Sequence, residues 1–383
     1  MIQTAPFWLA LLLLPPLVWA LPPHRRAPLI ALGSFGVLAA EAPITAAVLS
    51  AAVYLGAALW PHLPRRGPAA LTAMLALGLV AAKLSLAAGF DENSALLPIG
   101  LSFFSFRLIH YTVERGRGAL PAHRPIDALA WILLFPIFSA GPIARFTATD
   151  GAPLLALQDR PTLEGIAAAG TRIAVGLFKR LVLAELIWET VLKEQGPAVI
   201  LDALPLLSVG ELWIWALGSF AQLYLDFSGY SDIAIGAAGL LGVRVEENFD
   251  WPILAKNPAQ FWRRWHRSLA AWCQSYVYLP LLGISRSPTL ATLLTFALMG
   301  LWHGVSGPWL LWGLLHGAAV AAVGARDRAR RARRLPADQP FDWIGAPLTW
   351  MFASAAHAAA SVHGVGGLAD ALRMLAHLCG WRG

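Results

Sequence analysis

Apolar runs long enough to cross a membrane recur along the whole sequence. A stretch of about 20 apolar residues spans a hydrocarbon core about 30 Å thick. Several runs are shorter, or are interrupted by proline and glycine, which favours re-entrant or interfacial segments there. The pattern predicts an all-α, polytopic integral membrane protein with about ten or eleven transmembrane helices. The runs lie near residues 6–22, 28–41, 44–60, 69–90, 97–113, 127–144, 164–192, 200–225, 229–243, 266–283, 289–302, 308–325, 343–362 and 365–380.

The composition agrees with this pattern. Of the 383 residues, 57% are hydrophobic and 13% are charged, whereas a soluble domain carries about 25% charged residues. The net charge of +7 does not indicate a nucleic-acid-binding protein, because the basic residues cluster between apolar runs. The partner that the composition predicts is therefore the lipid bilayer. The sequence contains no internal repeat and no low-complexity tail, so a single domain over 1–383 is the simplest interpretation.

The basic clusters set an orientation through the positive-inside rule. The loops that carry them are expected in the cytoplasm, and the loops around Glu41 and around Asp91 and Glu92 are then outside, as is the N-terminus. The last cluster has an alternative interpretation as an anchor for anionic lipid headgroups, which leaves the orientation unchanged. The clusters comprise Arg25, Arg26, Arg65, Arg66, Arg115, Arg117, Arg124, Arg326, Arg328, Arg330, Arg331, Arg333 and Arg334.

A polar, aromatic segment at 244–267 separates two apolar runs. Asn257 followed by a proline is a typical helix start. The spacing after it predicts one amphipathic helix, with an apolar face and a basic face. Such a helix is expected at the interface, with its arginines toward anionic headgroups or a phosphorylated ligand. The apolar face carries Trp262, His266, Leu269 and Cys273, and the basic residues are Arg263, Arg264 and Arg267.

His303 is the strongest candidate for chemistry. It follows the apolar run 289–302, and Gly307 and Pro308 break the helix just beyond it. An ionisable residue at membrane depth is costly, and broken helices are tolerated there only inside protein or beside a water-filled cavity. A neutral imidazole in such a place can take a proton from an attacking hydroxyl. The alternative is a histidine that hydrogen-bonds a neighbouring carbonyl and joins two helices.

Two further histidines have competing interpretations. His266 is either functional or an interfacial residue that accompanies the neighbouring arginines. His316 lies within an apolar run, where packing against Gly313 and Gly317 is the simpler interpretation. No HExxH motif and no closely spaced Cys/His pattern occurs, so no metal site is predicted.

The stretch YLDFSGYSDIAIG at 224–236 places two carboxylates in an apolar setting. Asp226 and Asp232 fall on opposite faces of a continuous helix, although Gly229 is a possible interruption. Buried carboxylates can pair with arginines or carry protons. The alternative is a structural hydrogen-bond network around Ser228 and Tyr230.

The order of several segments resembles the membrane-bound O-acyltransferase family, and within it the bacterial branch that serves alginate O-acetylation and teichoic-acid D-alanylation. The long central block is highly specific, whereas GPI or WHG alone is a weak signal. The matching segments form a motif core at roughly 98–317 and cover about half of the chain. They are PIGLSFFSFRLIHY at 98–111, LFPIFSAGPIARF at 134–146, FKRLVLAELI at 178–187, the block at 224–283 and MGLWHG at 299–304.

This resemblance implies a helical membrane core around a tunnel, in which an acyl donor enters from the cytoplasm and an acceptor meets it from outside. The family's invariant histidine matches His303, and its second functional histidine matches His266 in WRRWHRSL. Both are therefore expected to be catalytic. The substrate-binding candidates are Asp226, Ser228, Tyr230, Asp232, Arg263, Arg264, Arg267 and Trp302.

The resemblance further implies an O-acyltransferase of the bacterial cytoplasmic (inner) membrane. No bound cofactor is expected, and acetyl-CoA or another acyl thioester is the donor substrate. The expected partners are an extracytoplasmic SGNH-type acetyltransferase or polysaccharide machinery. Three alternatives stay open: D-alanyl transfer to an envelope polymer, a transporter-like protein, and an acyl carrier scaffold without catalysis of its own. A transporter would predict paired repeats in the two halves, which the sequence does not contain.

Overall fold

The computed structural model describes residues 2–64, 66–88, 101–147, 154–155, 157, 160–334 and 344–381. No strand occurs in these residues, so the all-α prediction is confirmed for them. The predicted outer loop at Asp91–Glu92 lies outside the described residues. The chain divides into two compact units, one of residues 1–177 and 229–247 and the other of residues 178–228 and 248–383. The single domain predicted over 1–383 stays a prediction.

The first unit is built mainly from the N-terminal helices. Helix α2 packs against the helices on either side of it in the sequence and against α6, and α4 packs against α5. Fully buried aromatic side chains at the centre of the unit include Phe7, Trp131 and Phe135. The helices are α1 (Ala5–Ala20), α2 (Pro23–Glu41), α3 (Pro43–Leu59), α4 (Gly67–Ala87), α5 (Leu101–Gly116), α6 (Pro125–Leu133) and α7 (Leu163–Phe178).

The second unit contains most of the remaining helices. Helices α14 and α15 form a hairpin, α15 packs against α16, and α16 packs against α17. Three π-helical segments, at Lys179–Ala184, Trp188–Leu192 and Gln274–Tyr278, lie in longer helical stretches. The helices are α8 (Glu185–Ile187), α9 (Pro197–Ala203), α10 (Val209–Leu240), α11 (Pro258–Arg264), α12 (Arg267–Cys273), α13 (Leu279–Ser285), α14 (Pro288–His303), α15 (Gly307–Ala332), α16 (Gly345–Ser361) and α17 (Leu368–Leu378). Residues 229–240 of α10 belong to the first unit.

Two of the predicted runs have different bounds in the structure. The run at 127–144 is helical only to Leu133, and a short 3-10 turn follows at Phe135–Ile137. The reason is Pro136, which disfavours α-helical geometry in the residue before it. The runs at 200–225 and 229–243 were expected to be separate, but α10 is one helix of 32 residues that continues through Gly229. A single glycine weakens a helix by only about 1 kcal/mol, and packing overrides such a cost.

Large apolar side chains face outward on several helices. Three helices of the described residues are long and apolar enough to cross a membrane, namely Pro43–His62, Gly67–Ser85 and Gly307–Ala332. Leu12 on α1 is 71% exposed and Leu77 on α4 is 68% exposed. Such surfaces are unfavourable in water and favourable in lipid, which agrees with the membrane prediction. The larger number of crossings predicted from the sequence stays a prediction.

The hairpin of α14 and α15 depends on glycines where the two helices touch. A Cβ built on Gly300 would lie 2.2 Å from the carbonyl oxygen of Trp309, and one built on Gly313 would lie 2.3 Å from that of Phe296. Glycine therefore lets the two backbones meet directly, as small residues do between membrane helices. This contact fixes the end of α14, where His303 lies, against the first turns of α15.

Candidate functional site

The backbone breaks at His266, where the sequence pattern predicted one continuous amphipathic helix. The interpretation of 258–273 as a single helix is wrong, because α11 ends at Arg264 and α12 begins at Arg267. Between them His266 adopts a left-handed conformation with φ of 41°. Two backbone hydrogen bonds compete with the helix: Asp250 N–H donates to the Arg264 carbonyl and Arg267 N–H donates to the Asn248 carbonyl, each at 2.9 Å. A non-glycine residue with positive φ is uncommon, and such strain concentrates at functional sites.

The His266 side chain is held from two sides in the second unit. Nδ1 lies 3.0 Å from Oδ1 of Asn248, and the Ser268 hydroxyl donates to the same oxygen at 2.9 Å. The ring of Phe227 meets the imidazole at 90°, with 4.8 Å between centroids. His266 is 4% exposed and Asn248 is fully buried. The imidazole is therefore fixed by packing against Phe227 and by hydrogen bonding to Asn248.

Three indole rings surround the imidazole of His303. The ring centroid of Trp302 lies 4.5 Å from that of the imidazole. Trp309 stacks on the imidazole, with 4.8 Å between centroids and 19° between ring planes. Trp312 meets the imidazole edge to face, with 5.3 Å between centroids. His303 is nonetheless exposed. His303 and His266 lie close enough to interact electrostatically, so the fold brings the two histidines near each other in the second unit. An accessible imidazole against aromatic faces is suited to carry a proton transiently, since such faces stabilise cations.

Gly304 is needed for this stacking. A Cβ at that position would lie 2.4 Å from Cδ1 of Trp309 and 2.8 Å from its Nε1. The indole Nε1 is buried, with no hydrogen-bond acceptor among the residues that the structure describes. The Trp-His-Gly sequence therefore has a steric basis: the glycine leaves room for the indole that covers the histidine.

His316 occupies the adjacent layer of the second unit. The indole Nε1 of Trp262 donates to its Nδ1 at 3.2 Å, and Trp312 lies between His316 and His303, with ring centroids 4.7 and 5.3 Å away. His316 is 2% exposed. The burial of His316 agrees with the prediction that it is a packing residue. Its polar contact is with the indole of Trp262, whereas the sequence suggested packing against Gly313 and Gly317.

The three arginines of the basic face lie near the break at His266 along the chain. Arg263 and Arg267 are exposed and Arg264 is half-buried. The Arg264 guanidinium donates to the backbone carbonyl of Asp250 at 3.1 Å. The carboxylate of Asp250 lies 3.9 Å from the same guanidinium. Arg264 thus holds the 248–250 segment beside His266, whereas Arg263 and Arg267 present their charges at the surface. Their binding of donor phosphates stays a prediction.

Both carboxylates of the 224–236 stretch are ion-paired with arginines. In the second unit Asp226 pairs with Arg180 at 3.0 Å. In the first unit Asp232 pairs with Arg172 at 3.1 Å, and Arg172 also contacts Glu247 through both of its terminal nitrogens. These pairs satisfy charges that would be costly in an apolar setting. Substrate binding by Asp226 and Asp232 stays a prediction, with ion pairing as their observed contact.

The two residues between these carboxylates do not form the network that the sequence suggested. The Tyr230 hydroxyl is 3.0 Å from the Ser139 hydroxyl in the first unit. The Ser228 hydroxyl is buried and has no hydrogen-bond partner in the described part of the chain. A network centred on both residues is therefore not what the structure contains.

Replacing Arg172 with methionine should lower the free energy of unfolding by about 1–3 kcal/mol, because it leaves the carboxylates of Asp232 and Glu247 without their shared cation in a partly buried place. Thermal unfolding in detergent measures this. The matched control is Arg117→Met, which removes an exposed i,i+3 pair with Glu114 and should cost less than about 1 kcal/mol. Equal thermal midpoints for the two variants would show that the Arg172 cluster is not structural.

Sequence reasoning missed Asn248, Trp309 and Trp312 as members of the site. Trp309 and Trp312 carried a usable signal, since they follow His303 by six and nine residues, across a predicted helix break. Asn248 carried none, because its contact with His266 depends on a backbone pairing that no periodicity reveals. Among the described residues, no group of three or more His, Cys, Asp or Glu side chains is arranged to hold a metal ion.

These features define a helical membrane protein in which the two candidate histidines lie at helix breaks, His266 between α11 and α12 and His303 at the end of α14. Residues 105–362 match the model of the MBOAT, membrane-bound O-acyltransferase family. The chain belongs to this family.

Three relatives of this chain carry acyl-transfer names. The probable alginate O-acetylase AlgI of Azotobacter vinelandii is 37% identical over 276 residues, which are 68% of this chain and 51% of that protein. The peptidoglycan O-acetyltransferase of Helicobacter pylori is 29% identical, over 67% of this chain and 53% of that protein. The teichoic acid D-alanyltransferase of Bacillus subtilis is 28% identical, over 66% of each. The match thus spans about half the length of the O-acetylating relatives.

Proposed function

We propose that this chain is a membrane-embedded O-acyltransferase that moves an acyl group, most simply acetyl, from a cytoplasmic thioester to a hydroxyl acceptor on the outer side. The observation that carries the proposal is the exposed imidazole of His303, stacked on Trp309 and bordered by Trp302 and Trp312, with the buried His266 nearby. The chain lies in the bacterial inner membrane. The final acceptor is a polysaccharide of the cell envelope or an exopolysaccharide, reached through an extracytoplasmic partner acetyltransferase.

The chemistry follows from the imidazole of His303. Its ring nitrogen takes the proton of the acceptor hydroxyl while the oxygen attacks the thioester carbonyl. The new C–O bond forms and the C–S bond breaks, and the leaving thiolate takes the proton back from the imidazolium. A positioned general base is worth about 10²–10⁴-fold in rate. The thiolate leaves readily, so no strong general acid is required.

The direction of transfer rests on α15. Its 26 residues correspond to about 39 Å, which is enough to cross a bilayer. The arginines at its end favour the cytoplasm, and His303 immediately precedes its start. If α15 crosses once, His303 lies in the outer half of the membrane, where an acceptor from outside can reach it.

Acetyl is favoured over D-alanyl by the relatives, since the alginate O-acetylases are 36–39% identical and the D-alanyltransferases 27–28%. Teichoic-acid-type D-alanyl transfer remains the second candidate, because those relatives match over a similar share of this chain. Arg263 and Arg267 are exposed and are proposed to meet phosphates of the donor.

The proposal is tested with the purified chain in liposomes. Radiolabelled acetyl-CoA is supplied with a polysaccharide oligomer that carries free hydroxyls, with and without membranes of the producing cell as a source of partner. We expect label in an alkali-labile ester, together with release of one CoA thiol for each ester formed. A parallel sample receives a labelled D-alanyl thioester on a carrier protein.

If the protein transfers the D-alanyl group faster than the acetyl group, D-alanyl is its acyl group and the assignment of acetyl is wrong. Folded protein that cleaves neither thioester, with or without the membranes, would exclude an acyltransferase. A thermal unfolding curve on the same sample establishes that the protein is folded.

A further inference from the structure

Asn248 lies beside His266 but belongs to no motif with an assigned role. It is fully buried, and its backbone carbonyl accepts the Arg267 N–H at 2.9 Å. This bond ends the first helical segment and holds His266 in its left-handed conformation. The same residue therefore controls both the backbone and the side chain of His266.

The side chain of Asn248 determines which nitrogen of His266 bears hydrogen. Its Oδ1 can only accept hydrogen bonds. It receives the Ser268 hydroxyl at 2.9 Å and lies 3.0 Å from Nδ1 of His266. With the amide oxygen turned toward the ring, Nδ1 is the nitrogen that donates to it. A neutral imidazole has one N–H, so the lone pair lies on Nε2.

We propose that Asn248 is a positioning residue that fixes His266 in the Nδ1–H tautomer, so that Nε2 acts as a hydrogen-bond acceptor toward the proton that moves in the reaction. The inference rests on the proposed function. His266 could either orient a proton-bearing group or donate a proton itself. A neutral ring with its lone pair at Nε2 does the first and cannot donate a proton from that nitrogen. A base held in one tautomer by a neighbouring acceptor follows the logic of catalytic triads.

The strain at His266 supports this assignment. Its φ of 41° is a conformation that asparagine or glycine adopts more readily. Burial of the ring against Phe227 and Asn248 holds it there.

The experiment compares Asn248→Asp and Asn248→Leu in the full chain, using the acyl-transfer assay and thermal unfolding. Aspartate keeps an acceptor for both Nδ1 and the Ser268 hydroxyl, whereas leucine removes it. We expect Asn248→Leu to lower kcat about 10–100-fold with little change in KM for the thioester, and Asn248→Asp to retain kcat within about tenfold. A purely structural role would not distinguish the variants in this way, because a buried carboxylate is at least as disruptive as leucine.

Three outcomes would overturn the assignment. Wild-type kcat in Asn248→Leu would show that the acceptor is unnecessary. Loss of kcat in both variants at an unchanged thermal midpoint would mean that the amide NH₂ faces the ring and sets the opposite tautomer. A fall in both kcat and the thermal unfolding midpoint in both variants would show that Asn248 is a packing residue. Absence of transfer in the wild type would instead refute the proposed function, so the two failures are distinguishable.

Discussion

Replacing His303 with glutamine should lower the rate of acyl transfer by about 10²–10⁴-fold, which is the contribution of a positioned general base. Glutamine preserves the approximate size and polarity of the side chain but cannot take a proton at neutral pH. The site is accessible and its surrounding indoles are supplied by other residues, so the thermal midpoint should change little. Initial rates of ester formation from labelled acetyl-CoA measure the effect.

The control for His303→Gln is the same substitution at His377. That residue is half-buried on α17, away from the motifs of the site, and its Nδ1 lies 3.1 Å from a backbone carbonyl one turn earlier. Its replacement should leave the rate unchanged. Survival of acyl transfer in His303→Gln at the wild-type rate would remove the catalytic role from His303 and favour a carrier scaffold whose chemistry resides in a partner.

Replacing Gly313 with alanine should destabilise the protein by about 1–3 kcal/mol, because overpacking at a direct backbone contact forces the helices apart. The added Cβ would lie 2.3 Å from the Phe296 carbonyl oxygen. The same displacement separates α14 from α15 and therefore His303 from Trp309 and Trp312. Acyl transfer should fall with the thermal midpoint, and both are measured on the detergent-purified variant.

The matched control is Gly283→Ala, on α13 in the same unit. A Cβ at Gly283 meets nothing within 4 Å, and alanine is the better helix former by about 1 kcal/mol. This variant should be as stable as the wild type or slightly more so. If the two alanine variants unfold at the same temperature, the α14–α15 contact does not limit stability.

The helices and the residue type at the site's centre could be predicted from sequence, whereas the surroundings of that residue could not. Runs of apolar residues bounded by proline and glycine predicted α14 and α15 to within a few residues at their starts, because burial in lipid needs uninterrupted helix. The prediction failed at 258–273. There the 3.6-residue period of apolar positions continues through His266, although the backbone is not helical at that residue. The pairing of residues 248–250 with 264–267 ends the helix there, and local pattern carries no information about such a pairing.

The carboxylates illustrate the same division. Asp226 and Asp232 stand out in an apolar stretch, which predicts that they need partners. Their partners, Arg180 and Arg172, lie 46 and 60 residues away along the chain. The cost of an unpaired charge in an apolar setting made it predictable that each carboxylate would find a partner. Which arginine pairs with which carboxylate depends on how distant helical segments pack together, and the sequence pattern does not show this.

The sequence by itself determined that this chain is a helical membrane protein, that it carries the motifs of an O-acyltransferase family, and that His303 is its candidate base and His266 its second candidate catalytic residue. These conclusions depend on residue type and spacing, which are local. Only the tertiary structure decided that indoles surround His303, that a buried asparagine holds Nδ1 of His266, and that glycines join the two helices of the site. Those features arise from contacts between segments far apart in sequence, where the physical determinant is steric fit.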